Sequence, residues 1–122
     1  MSYDPNNIFA KILRGEIPCD RVHENDHALA FRDINPQTPV HVLVIPKGAY
    51  ADLTDFAANA PADEIEGFVR ALGETAQMLG ITDGGYRALT NIGEHGLQEV
   101  PHFHVHLFGG QPLGRMIKPP GK

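Results

Sequence analysis

His102, His104 and His106 alternate with Phe103, Val105 and Leu107, and Gly109-Gly110 closes the run. Period-two alternation is the pattern of a strand with one packed face and one chemically different face. It directs Phe103, Val105 and Leu107 into a core. The three histidines then line the other face, neighbours about 6–7 Å apart at Cα. Thr, Lys or Glu would solvate a strand better. Imidazole instead changes charge near neutral pH, binds metals, carries protons and attacks electrophiles.

Three kinds of chemistry fit such a row. Imidazoles at i and i+2 on a strand can converge on a zinc ion. No carboxylate or cysteine at ligand spacing completes that set, so no metal is assigned. A neutral imidazole can also attack an activated phosphorus and form a phosphoramidate-type intermediate that water then resolves. That route needs one histidine with a free nitrogen, a second that donates, and backbone N–H groups nearby. The glycine-bearing loop Gly93-Glu94-His95-Gly96-Leu97 can offer them. The third possibility is a nucleotide-binding module without catalysis, whose histidines contact a phosphate. The residues by themselves scarcely separate the last two.

The elements that must position this row read as follows. Apolar spacing at Ile8, Phe9, Ile12 and Leu13 predicts a short helix between Asp4-Pro5 and Gly15. Val22–Glu24 and Ala28–Arg32 read as a hairpin, followed by a proline-fixed loop over residues 33–39. Val40–Pro46 is almost wholly apolar and reads as a central strand with His41 its one ionisable member. A lone histidine there is more often a core residue than a catalytic one. Residues 47–55 read as a loop. Pro61–Leu79 carries Ile65, Phe68, Val69, Leu72, Ala76 and Leu79 on one stripe and acidic residues in its first turns, which predicts the main helix. A strand over Tyr86–Ile92 precedes the histidine strand. The fold class expected is α+β, with a five-stranded, mostly antiparallel sheet and two helices.

Composition narrows the function classes. The 122 residues, 42% of them apolar, fit one domain over 1–122, with 110–122 an extended C-terminal arm. A formal charge of -5 without a basic stripe argues against a nucleic-acid partner. No apolar run approaches membrane-spanning length and the first residues are not a signal peptide, so a cytoplasmic protein without a membrane partner is expected. Cys19 is alone and is expected to pack as a small apolar side chain beside Pro18.

The run from His102 to Phe108 resembles the His-φ-His-φ-His-φ-φ signature of the histidine triad superfamily. With Gln98 before it and Gly109-Gly110 after it, it is similar to the Hint branch of purine-nucleotide phosphoramidases. The likeness extends through Ile8-Phe9, Lys11-Ile12, Glu16-Ile17-Pro18, Ala30 to Gln37, His41, Asn91, Gly93 and Pro112-Leu113-Gly114.

This resemblance implies a homodimer joined across the long helix and an edge strand into one continuous sheet. It implies purine nucleoside 5′-phosphoramidates (AMP or GMP conjugates) as substrates, no cofactor, and a nucleotidyl-His104 intermediate. His106 and the backbone at Glu99 and Val100, beside Gln98, would hold the phosphate. His41 and His102 would orient and polarise the nucleophile. Asp33 and Asn91 would bind the ribose and its surroundings, and Ile8, Phe9, Ile12, Phe31 and Ile34 the base. The sequence departs from the pattern at Glu99, where many members carry Ser, and at Leu97, where glycine is common. Pro101 is similar to the dinucleoside polyphosphate hydrolase branch, which stands as the alternative activity beside nucleotide binding alone.

Overall fold

The computed structural model describes residues 2–117. Its elements run α1 (Ile8–Leu13), β1 (Arg21–Glu24), β2 (Ala28–Arg32), β3 (Val40–Pro46), α2 (Leu53–Asn59), α3 (Ala62–Met78), β4 (Arg87–Leu89) and β5 (Val105–Gly109). The strands form one antiparallel sheet in the order β1-β2-β3-β5-β4. The α+β class and the five strands are as expected. The helix count is not, because α2 occupies part of the expected loop. Asp52 caps α2 by accepting from the Asp55 N–H at 2.9 Å, and Asp55 reaches back to the Ala51 N–H at 2.8 Å. This reciprocal cap fixes a helix too short for periodicity to reveal, with Phe56 its one buried residue.

The sheet separates two apolar layers. On one side Phe103, Val105 and Leu107 pack with Val42, Val44, Phe56, Phe68 and Ala71 beneath α2 and α3. Phe103 lies 5.1 Å from the Phe56 ring and 5.0 Å from that of Phe68. On the other side Phe9 of α1 covers Leu29, Phe31, Leu43 and Ile45. The alternation around the histidines therefore holds, although β5 itself begins only at Val105. His102, at a bend, and His104 precede the strand, gripped by side-chain hydrogen bonds rather than by a ladder.

Within α3 the expected stripe is buried at Phe68 and Ala76, but Val69 is 57% exposed. Ala71 and Thr75 are buried in its place, because the helix turns that flank onto β1–β3. Gly67 permits a close approach here: a Cβ would lie 2.9 Å from the Cβ of His27, and Asn25 Nδ2 donates to the Gly67 carbonyl at 2.9 Å. The β1–β2 turn is thus seated directly on the helix.

Cys19 is exposed, contrary to expectation, on the connector from α1 to β1. Within the arm, the Gly114 carbonyl accepts from Arg87 at 2.6 Å, and residues 118–122 of that arm lie outside the described part. No helix among the described residues is long and apolar enough to cross a membrane.

Candidate active site

Central strand β3 and strand β5 are neighbours, and their register sets His41 opposite Phe108 and Leu43 opposite His106. This pairing brings two histidines 65 residues apart into contact, with His41 Nε2 3.0 Å from His106 Nδ1. Phe108 lies 4.3 Å from the His41 ring and is stacked on His106 at 5.5 Å. The apolar flank holds both imidazoles in place. His104 stands next along the row, its ring 5.1 Å from that of His106, and the edge of Phe9 meets it at 5.0 Å.

Burial keeps these imidazoles neutral. It pushes His102 down to about 4, against a weaker upward pull from the Pro46 carbonyl. His106 is also pushed down to about 4, by burial first and then by His104 and His41. His104 and His41 are lowered by burial as well, with Asp33 opposing the shift.

A neutral imidazole has one N–H and one lone pair, so its partners dictate the tautomer. His104 Nδ1 faces the His102 carbonyl at 2.7 Å and must donate, which leaves the Nε2 lone pair free. The Gln37 backbone N–H donates to His41 Nδ1 at 3.1 Å, so the His41 proton sits on Nε2 and is donated to His106 Nδ1. His106 therefore presents Nε2–H. Adjacent imidazoles thus offer a nucleophilic lone pair and a hydrogen-bond donor.

Asp33 completes the cluster. Its backbone N–H donates to the His41 carbonyl at 3.0 Å and its carboxylate lies 3.5 Å from His41 Nε2. Sequence spacing showed no carboxylate to accompany the histidines; the fold supplies one, and Asp33, His41 and His106 together could hold a metal ion. The Gln37 N–H opposes that use. A metal on His41 Nε2 would drive the proton onto Nδ1, where it would confront the Gln37 N–H donor. The donor set therefore fits proton placement better than metal binding.

The loop before the histidines is fastened by Gln98. Its Oε1 accepts from the Gly93 N–H at 3.0 Å, and Nε2 donates to the carbonyls of Ala51 and Val100 at 2.7 and 2.9 Å. These bonds tie its side-chain amide to the loop and to the start of α2. Glu99 is exposed, Val100 half-buried against the Phe9 cluster, and Asn91 half-buried after β4. Of the apolar residues, Phe9 and Phe31 meet edge to face at 5.6 Å and are buried. Ile8 is exposed and Ile34 is 95% exposed. Ile12 packs against the Phe9 cluster and also lines a cleft with Cys19 and Leu29.

Sequence reasoning missed several supports. Thr90 Oγ1 donates to the His104 carbonyl at 2.7 Å, Pro46 contributes its carbonyl and Gln37 its N–H, and Tyr3 reaches His102. Backbone groups carry no sequence signal at all. Leu97 takes φ +60, the left-handed region that disfavours a branched side chain, and is 78% exposed. Leu97→Gly is expected to raise stability by about 0.5–1 kcal/mol, the strain relieved less the entropy glycine gives the unfolded chain. Urea unfolding of the two proteins checks this, and a lower midpoint for the variant would refute it.

A family model described as the HIT domain matches residues 14–113. The chain belongs to the HIT domain family. This HIT domain is 61% identical over 116 residues to an uncharacterized HIT-like protein of Azospirillum brasilense, covering 95% of each chain. It is 43% identical over 110 residues to the purine nucleoside phosphoramidase of Escherichia coli K12, covering 90% of this chain and 92% of that one. Among solved structures, a HIT family hydrolase of Clostridium thermocellum superposes with a TM-score of 0.83 at 38% identity, covering 93% of this chain and 97% of that one. A HIT family hydrolase of Legionella pneumophila gives 0.80 at 41% identity, covering 95% and 100%. The five-stranded sheet and its flanking helices are thus the HIT fold.

Proposed function

We propose that this HIT protein hydrolyses purine nucleoside 5′-phosphoramidates to nucleoside monophosphate and amine through a nucleotidyl-His104 intermediate. The observation that carries the reading is the pair of opposite tautomers at His104 and His106. The His104 Nε2 lone pair attacks the α-phosphorus while His106 Nε2–H donates to a non-bridging oxygen. The P–N bond breaks, and the leaving nitrogen takes the bonding pair and a proton from solvent. Water then attacks the same phosphorus and releases a proton to solvent, the bond to His104 breaks with its pair returning to Nε2, and the imidazole is again in its Nδ1–H form. Positive charge that develops on His104 is met by the His102 carbonyl and by the nearby Asp33.

The name of the Escherichia coli relative supports the P–N substrate class. The exposed apolar side chains of Ile8 and Ile34, beside buried Phe9 and Phe31, suit the faces of a purine. Asp33 and Asn91 are the proposed ribose contacts, and the backbone at Glu99 and Val100, held by Gln98, the proposed phosphate contact.

The test is hydrolysis of adenosine 5′-phosphoramidate by the whole protein with a chelator present throughout. Turnover with a burst of ammonia equal to the enzyme, and AMP recoverable on histidine after quenching, is expected. No turnover with AMP still bound would favour a binding module. Preference for a diadenosine polyphosphate would favour the sister activity.

The same reading includes a homodimer. An apolar groove runs between Leu53, Ile65, Val69 and Leu72 of the helices and Ala88 and Leu89 of β4. Strand β4 ends the sheet, so a second copy can pair with its free edge and cover the groove. Val69→Asp is expected to convert a dimer into a monomer in sedimentation velocity. A wild-type monomer at micromolar concentration would exclude the dimer.

A further inference from the structure

His102 is fully buried, yet both its ring nitrogens have partners. Nε2 lies 2.8 Å from the Pro46 carbonyl, which only accepts, so Nε2 carries the proton. Nδ1 is then a lone pair, and the Tyr3 hydroxyl stands 2.8 Å from it as the donor, with the two rings edge to face at 5.5 Å.

Tyr3 is not held there by chance packing. Asp4 accepts from the Asn6 N–H through its carboxylate, and its carbonyl accepts from both the N–H and the side chain of Asn7. Asn7 is itself buried and caps α1 by accepting from the Ala10 N–H at 2.9 Å. Arg14 at the far end of α1 donates to the Pro5 carbonyl at 2.9 Å. Residues 4–7 are thus tied to both ends of the helix whose Phe9 ring stands edge to face with those of His102 and His104, at 6.3 and 5.0 Å between centroids. The segment and α1 form one lid over these two histidines.

We infer that the Tyr3 hydroxyl is a positioning group for the nucleophile: by fixing the His102 ring it fixes the His102 carbonyl, and that carbonyl holds His104 in its Nδ1–H form. The inference rests on His104 acting as proposed above. Loss of the hydroxyl leaves a buried acceptor without a donor, a state relieved only by moving or re-protonating the ring. Either change disturbs the backbone that orients His104. Tyr3 itself touches no reacting atom. A loss the size of one neutral hydrogen bond, felt in the transition state, is about tenfold in rate.

The experiment compares the full-length protein with Tyr3→Phe, which keeps the ring, at temperatures well below the melting point of both. Burst-phase rates on adenosine 5′-phosphoramidate and titrations with AMP are taken beside 15N spectra of the histidine side chains. The expected result is a burst-phase rate lower by about tenfold with affinity for AMP within twofold. The His102 Nδ1 signal moves to that of a free nitrogen, and His104 passes from one tautomer to a mixture. An unchanged burst-phase rate alongside a shifted His102 signal would make Tyr3 merely structural and overturn the inference. A slower variant whose His104 remains a single Nδ1–H tautomer would overturn the route through the carbonyl. If the wild-type protein turns over nothing, the functional reading fails separately. The spectra alone then decide, a His104 pattern indifferent to the hydroxyl refuting the role of Tyr3 and a mixed one upholding it.

Discussion

His104→Ala is expected to lower phosphoramidate turnover by about 10⁴-fold or more, the scale on which removal of a covalent nucleophile acts. In the proposed mechanism the side chain supplies the attacking lone pair, and none of its neighbours can substitute for it. His102 has both nitrogens engaged inside the protein, with Tyr3 and with Pro46. His106 points its proton outward because His41 donates to its other nitrogen. Affinity for AMP should change far less, since His106 and the loop fastened by Gln98 survive the substitution. The burst and the covalent AMP should vanish together. Isothermal titration beside stopped-flow amine release checks both parts. Burst kinetics persisting in His104→Ala would sink the covalent mechanism while leaving the fold assignment untouched.

Stability is expected to fall steeply as the pH drops from about 6.5 towards 4. His102 ordinarily titrates near 6.5, and burial holds it at about 4 in the folded protein. Between those values the unfolded chain binds a proton that the folded chain refuses, so acid favours unfolding. The contribution is fully present above pH 6.5 and is lost as pH falls, levelling off below about 4. For His102 alone the loss amounts to about 3 kcal/mol. His106, also pushed to about 4, acts in the same direction. Urea unfolding at several pH values between 7.5 and 4 measures the slope, and His102→Gln should flatten it. Identical slopes in the two proteins would show that His102 is not the buried neutral group described here.

These two effects share one origin. Burial keeps the imidazoles neutral, and neutrality leaves a free lone pair on one beside an N–H on the next. The same exclusion makes the fold sensitive to acid. Neutral imidazoles in a low-dielectric surrounding also have tautomers that do not interchange freely, because each alternative would place two donors or two lone pairs face to face.

Much of this protein was legible in the chain itself. Alternation around His102, His104 and His106 told which side chains enter the core, because a strand's two faces differ by the pleat alone and need no long-range information. The apolar run Val40–Pro46 announced a central strand, and β3 has those bounds. Helix α1 was visible from four apolar positions, and the long stripe of α3 from its period. What remained hidden follows from the same logic. Helix α2 offers seven residues and one buried side chain, too few for a period, although Asp52 and Asp55 stood at the spacing of a reciprocal cap.

Only the tertiary structure decided which nitrogen carries each proton. The partners that choose the tautomers are the Gln37 N–H, the Pro46 and His102 carbonyls and the Tyr3 hydroxyl. Three of these four are backbone groups, which leave no side-chain signature, and Tyr3 is 99 residues from the ring it meets. Sequence determines which side chains are able to do the chemistry and on which face they stand. Strand register and the placement of a lid, both products of long-range packing, determine which lone pair is left free.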